Sequence, residues 1–100
     1  MNLKNKRILV TQADAFMGPA LCEVLAGHGA DVVRSTAPLI DPNAPSLAIE
    51  DAGSVDVLVA NLALAAPSTP AVSVTDDEWS EVFGALVDPL PRLVRAVVPD

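Results

Sequence analysis

Residues 8–10 read Ile-Leu-Val between Arg7 and Thr11, an apolar run in which no alternate position is polar. A strand with one wet face alternates, so a run of this kind needs cover on both faces, as in a parallel sheet packed between helices. Parallel strands are joined by crossovers of a dozen or more residues, usually helical, which fixes what must come next. The spacing predicts a helix over residues 17–26, where Met17, Leu21, Val24 and Leu25 recur at helical intervals. Pro19 suits its first turn, and Gly27-His28-Gly29 supplies the stop. A second short strand is expected at 31–35 and a third at 55–61, with an additional short strand at 47–50. Small-residue and proline-rich patches at 38–45 and 67–70 read as loops.

The last element opens on Thr75-Asp76-Asp77-Glu78, a capping box with two further acids in the first turn. Its apolar stripe is Trp79, Val82, Phe83, Leu86, Leu90, Leu93, Val94 and Val97, a long helix bent at Pro89 and Pro91. Alternating strands and helices predict an α/β fold with right-handed crossovers and a ligand crevice beyond the carboxyl ends of the strands. Function is therefore sought at residues 11–18, at Ser35 and at Asn61.

Composition narrows the chemistry. One hundred residues allow no more than one domain, and 51% apolar but only 3% aromatic content makes its core aliphatic. A net charge of -7 disfavours nucleic acid and anionic membrane surfaces as partners. The longest mostly apolar stretch, 55–67, contains Asp56 and Asn61 and falls short of the ~20 residues that cross a bilayer. The single cysteine, Cys22, excludes an internal disulfide, reads as helix packing, and suits a cytoplasmic setting. The acids Asp76, Asp77, Glu78 and Glu81 have no histidine beside them, so they read as helix capping and no metal site is assigned. His28 reads as a turn or cap residue, and Trp79 and Phe83 as packing partners on one helical face.

Residues 8–18, 55–61 and 79–99 together resemble the N-terminal part of the short-chain dehydrogenase/reductase (SDR) superfamily. In cofactor-using members the first loop reads T-G-x-x-x-G-x-G, the strand corresponding to 55–61 ends in N-N-A-G, and the long helix carries W-x-x-x-x-x-x-N before R-A-x-x-P. Thr11, Gly18, Asn61, Ala63, Trp79, Arg95, Ala96 and Pro99 fall on matching positions. Gln12 and Phe16 stand where the first two glycines are expected, Ser35 where an acid would bind ribose, and Leu86 where an Asn joins the proton relay. Only residues 36–54 separate the second strand from the third, too few for the usual helix, strand and second helix, so the adenine side of the pocket is expected to be reduced.

The resemblance implies a Rossmann-like, doubly wound parallel sheet of which residues 1–100 form the N-terminal half. The catalytic Ser, Tyr and basic residue are expected beyond residue 100, with Asp100 a boundary within a longer protein. The string at 11–20, with its Phe-x-Gly-Pro-Ala core, resembles the haloalcohol dehalogenases. That branch implies a lyase without cofactor that converts a vicinal haloalcohol to an epoxide and halide. Its halide and substrate pocket would be lined by Phe16, Gln12, Asn61 and Leu62. The alternative is an NAD(P)-dependent oxidoreductase acting on an alcohol or carbonyl, with Thr11, Gln12, Phe16, Met17, Ser35, Asp51, Asn61 and Ala63 at the cofactor and Ser35 and Thr36 receiving a 2′-phosphate. A third reading is a catalytically silent assembly protein. The resemblance further implies a homo-oligomer formed through the helix at 79–99, packed on the remainder of its own domain. Phe16 lines a pocket or plugs a space, and Asn61 braces neighbouring strands or meets a ligand; the sequence leaves both pairs open.

Overall fold

The computed structural model describes residues 3–64 and 69–98. Three strands, β1 (Arg7–Val10), β2 (Asp31–Arg34) and β3 (Val57–Val59), form one parallel sheet in the order β2-β1-β3. Leu9 faces Val33 on one side and Leu58 on the other. The central strand is the apolar run, and Ile8, Leu9 and Val10 are all essentially sealed from solvent.

Helix α1 (Gly18–Gly27) joins β1 to β2, and α2 (Ala44–Ala52) joins β2 to β3. Ile8 and Val10 pack with Ala13 and Cys22 on one side of the sheet, with Leu25, Val32 and Val59 against them. The other side holds Leu39, Ala48 and Leu93, with Leu58 and Leu62 packed on them. The chain is thus a three-layer half-sheet, α1 on one face and α2 with α4 (Pro89–Val97) on the other. Placing β2 and β3 on opposite sides of β1 requires crossovers on opposite faces when both are right-handed. The α/β Rossmann-like sheet is therefore as the sequence led us to expect.

Local chemistry sets the ends. Arg7 gathers the amino-terminal edge of the sheet: its amide donates to Asp56 Oδ2 at 2.9 Å, its Nη1 donates to the Ser54 carbonyl at 2.6 Å, and its Nε lies 3.3 Å from Asp31. Residues 11–18, Ser35 and Asn61 follow the opposite, carboxyl-terminal ends of the strands.

Several expectations are corrected. Residues 47–50 are helical, inside α2, because Pro45 suits the first turn and Ala48 and Ala52, four apart, share the buried face. The single helix α2 is thus the whole crossover, and the patch expected to be loop from 38 to 45 gives up Ala44 and Pro45 to it. In α1 the buried residues are Gly18 and Cys22, whereas Met17 and Val24 are exposed. The long last helix is broken rather than bent. Helix α3 (Asp76–Leu86) ends at Val87, and Pro89 begins α4, since prolines at 89 and 91 withhold two amides from the ladder. Of the predicted stripe only Leu93 is fully buried; Trp79, Phe83, Leu86, Leu90 and Val94 are exposed. Thr75 Oγ1 accepts from the Glu78 amide at 3.2 Å, but Glu78 Oε2 is buried without a hydrogen-bond partner, so the box is half made. Trp79 and Phe83 stack on each other, centroids 5.2 Å apart. His28 caps α1 and is exposed. Residues 67, 68, 99 and 100, named in the sequence reading, lie outside the described residues.

Gly18 enters α1 directly beneath the loop from β1. A Cβ there would collide with the Ala13 carbonyl, whereas one at Gly27 meets nothing within 4 Å. Gly18→Ala is expected to destabilise by about 2–3 kcal/mol through backbone displacement, and Gly27→Ala to stabilise by about 0.5–1 kcal/mol through helix propensity. Urea denaturation of the two variants checks both signs.

Candidate functional site

At the carboxyl ends of β1 and β3 the chain leaves in opposite directions, the point where open α/β sheets hold ligands. The loop after β1 is fastened on both sides. Toward β2, the Ala13 amide donates to the Ser35 carbonyl at 2.9 Å and the Ser35 amide to the Val10 carbonyl at 3.0 Å. Toward β3, buried Thr11 donates its hydroxyl to the Asn61 carbonyl at 2.9 Å. Asn61, itself buried, spends both amide hydrogens on the loop, donating to the Gln12 and Ala15 carbonyls at 2.9 Å each. Gln12 completes the join: its Nε2 donates to the Ala63 carbonyl at 3.2 Å and its Oε1 accepts from the Ala63 amide at 2.8 Å.

Gln12 and Phe16, the two positions where the resemblance expects glycine, adopt φ of +43° and +52°. Side chains enter this left-handed region at a cost of roughly 1–2 kcal/mol each, and glycine enters it freely. The loop thus holds a glycine-type backbone without the glycines. The Phe16 ring does not plug it: Phe16 is 77% exposed. Together with Ala15, Leu62, Ala63, Leu64 and Leu86, Phe16 lines an apolar cavity of about 530 Å³. Of the four residues expected to line a pocket, Phe16 and Leu62 border this cavity, whereas the Gln12 and Asn61 side chains are turned to backbone groups. The bracing reading of Asn61 is the one its hydrogen bonds describe.

A second cavity, about 290 Å³, opens at the carboxyl end of β2. Arg34, Ser35, Thr36, Asp51 and Ala52 are among its lining residues. Ser35 and Asp51, named separately from the sequence, are thereby brought together. Arg34 was missed, although its place as the last residue of β2, directly before Ser35, was a readable signal. A guanidinium and two hydroxyls are donors suited to phosphate oxygens, and a carboxylate is an acceptor suited to an amino group. These residues fit the phosphorylated adenosine end of a dinucleotide. Asp31 belongs to the other end of β2, beside Arg7. At the start of α1 the Gly18 amide is spent on the Ala15 carbonyl and Pro19 has no amide, so this helix end offers fewer donors to an anion than an ordinary first turn. Met17, the residue before the helix, is exposed. Among the described residues no cluster of three or more His, Cys, Asp or Glu side chains is placed to hold a metal, and no helix is long and apolar enough to cross a membrane.

No family model matches the chain. It is 25% identical, over 123 aligned positions, to the 3-oxoacyl-acyl-carrier-protein reductase FabG of Vibrio harveyi, a match covering 98% of this chain and 50% of that protein. Among solved structures it superposes on L-sorbose reductase from Gluconobacter frateurii, complexed with NADPH and L-sorbose, with a TM-score of 0.86 and 21% identity, covering 99% of this chain and 48% of that one. A short-chain dehydrogenase/reductase from Serratia marcescens gives a TM-score of 0.81 at 19% identity, over 96% of this chain and 52% of that one. The chain thus spans about half the length of the proteins it matches.

These relatives correct the first reading of function. Two are reductases, one of them complexed with NADPH, the third is a short-chain dehydrogenase/reductase, and none is a haloalcohol dehalogenase, so the expectations of halide chemistry and of cofactor independence both fall. The physical reason the loop misled is that its side chains differ from the family pattern while its backbone does not need them to match: Gln12 and Phe16 stand at positive φ, the conformation glycine favours.

The isosteric change Asn61→Asp places a carboxylate where two amide hydrogens met two carbonyls. It is expected to destabilise by about 2–3 kcal/mol, and Thr11→Val by about 1–2 kcal/mol, both measured by chemical denaturation. Sequence and fold together support resemblance to the SDR superfamily, and the chain has the fold of the N-terminal half of its members.

Proposed function

We propose that residues 1–100 supply the cofactor-binding half of an NADP(H)-dependent short-chain oxidoreductase acting on an alcohol or carbonyl. The observation that carries this reading is the donor set Arg34, Ser35 and Thr36 around the cavity at the end of β2, one loop away from a first loop held in a glycine-type conformation. Arg34 supplies the positive charge, and the Ser35 and Thr36 hydroxyls the neutral donors, for a ribose 2′-phosphate. Asp51, across the same cavity, accepts from the adenine amino group. Thr11, Gln12, Asn61 and Ala63 shape the crevice between the two strand ends, and Phe16, Met17 and Leu86 give its outer part an apolar lining. When bound, the nicotinamide would exchange hydride with a substrate carbon.

The proton-handling groups belong, in this reading, to the rest of the protein. The 100 residues contain no tyrosine, and Leu86 occupies the position where the resemblance expects the relay Asn. The exposed apolar ridge of Trp79, Phe83, Leu86, Leu90 and Val94 is the surface on which the remaining half of the domain and a second copy would pack. The single cysteine and a nicotinamide cofactor suit the cytoplasm.

Isothermal titration of the intact protein with NADPH and NADH tests the reading. The expected result is binding with preference for NADPH. Arg34→Glu is expected to weaken NADPH at least about tenfold, the worth of one charge-assisted contact, with NADH almost unchanged. Failure of the unaltered protein to bind either nucleotide contradicts the proposal.

A further inference from the structure

Gln12 does something that a glycine at the same position could not. Its side-chain amide lies against the peptide of Ala63 in both senses, donating to the carbonyl at 3.2 Å and accepting from the amide at 2.8 Å. A primary amide and a peptide group present the same donor and acceptor pair, so the side chain extends the pairing of β1 with β3 beyond Val59, the last strand residue. The Gln12 main chain is held as well, its carbonyl accepting from Asn61 Nδ2 at 2.9 Å and from the Ala15 amide at 3.0 Å. This double hold keeps a glutamine at φ +43°, where an unfastened side chain would relax to negative φ.

We infer that Gln12 is a positioning residue for the crevice, a side-chain clasp that fixes the loop after β1 to the loop after β3 before any cofactor arrives. The inference rests on the cofactor-site reading for its functional consequence, but the clasp itself is independent of it. Glycine-rich loops give the backbone freedom that binding must then remove. Here the same backbone conformation is held in advance by hydrogen bonds from Thr11, Gln12 and Asn61. Thr11 and Asn61 join the two loops next to the strand ends, and among the described residues Gln12 carries the join out to Ala63, where it fixes the outer spacing of the two walls of the crevice.

The substitution that separates this role from mere stabilisation is Gln12→Gly, which restores the residue the family resemblance expects. Glycine relieves the positive φ and so favours the fold, while removing both bonds to Ala63. A structural role alone predicts unchanged or better function; a clasp predicts the opposite. Hydrogen exchange of the intact protein without nucleotide is expected to show the Ala63 amide protected, and about two- to tenfold faster in Gln12→Gly, the loss expected for one freed hydrogen bond. Titration with NADPH is expected to show weaker binding in Gln12→Gly and in Gln12→Glu. The glutamate keeps the acceptor for the Ala63 amide and sets a carboxylate against the Ala63 carbonyl. Unchanged exchange at Ala63, or NADPH binding equal to or tighter than that of the unaltered protein, overturns the inference. If the unaltered protein binds no nucleotide, the cofactor reading fails by itself, and exchange at Ala63 still decides whether the clasp exists.

Discussion

Everything at the ligand edge depends on the burial of β1 from both faces. Ile8 and Val10 hold α1, Leu9 looks to the opposite layer, and the two neighbouring strands are both parallel to β1. A strand enclosed in this way has no slack in register, because a shift by one residue would exchange its two faces. Its carboxyl end is therefore a fixed point, and Thr11, fully buried, is the first residue to transmit that position to the loop. From Thr11 the constraint passes to Asn61 and from Gln12 to Ala63, so a rigid core becomes a rigid crevice without any large side chain filling it.

The loop separates what a sequence motif encodes from what it requires. A glycine signature records that backbone must reach positive φ close to another group. Here Gly18 meets the requirement of closeness, being packed on Ala13, and Gln12 and Phe16 meet that of conformation by accepting strain. The polar side chain at 12 offsets its strain with two hydrogen bonds. Among the described residues Phe16 has the wall of an apolar cavity and no side-chain hydrogen bond to offset its strain.

The sheet was legible because its signal is local and strong. The runs around Ile8, Val32 and Val57 could be placed within two residues, as could the helix closed by Gly27. What escaped were features decided by packing across the chain. Leu47-Ala48-Ile49 has the look of a strand until α4 covers the face that Ala48 shares with Ala52. The stripe from Trp79 to Val94 reads as core, yet half of such a domain leaves it uncovered. At the candidate site, Asn61 and Thr11 stand out in the sequence by their places at strand ends. Their partners were not readable, since bonds spanning some fifty residues follow from topology and not from spacing. Arg34 carries no signature of its own in the sequence beyond its place before Ser35, since the family pattern marks the acid absent at Ser35 and not the cation before it.

In the proposed function the carboxyl ends of β1 and β2 hold a phosphorylated dinucleotide, and a crystal structure of the intact protein grown with NADPH reads this out. The 2′-phosphate is expected beside Arg34, Ser35 and Thr36, with the bonds from Gln12 to Ala63 in place. Nucleotide bound elsewhere, or the 2′-phosphate turned away from Arg34, would contradict it.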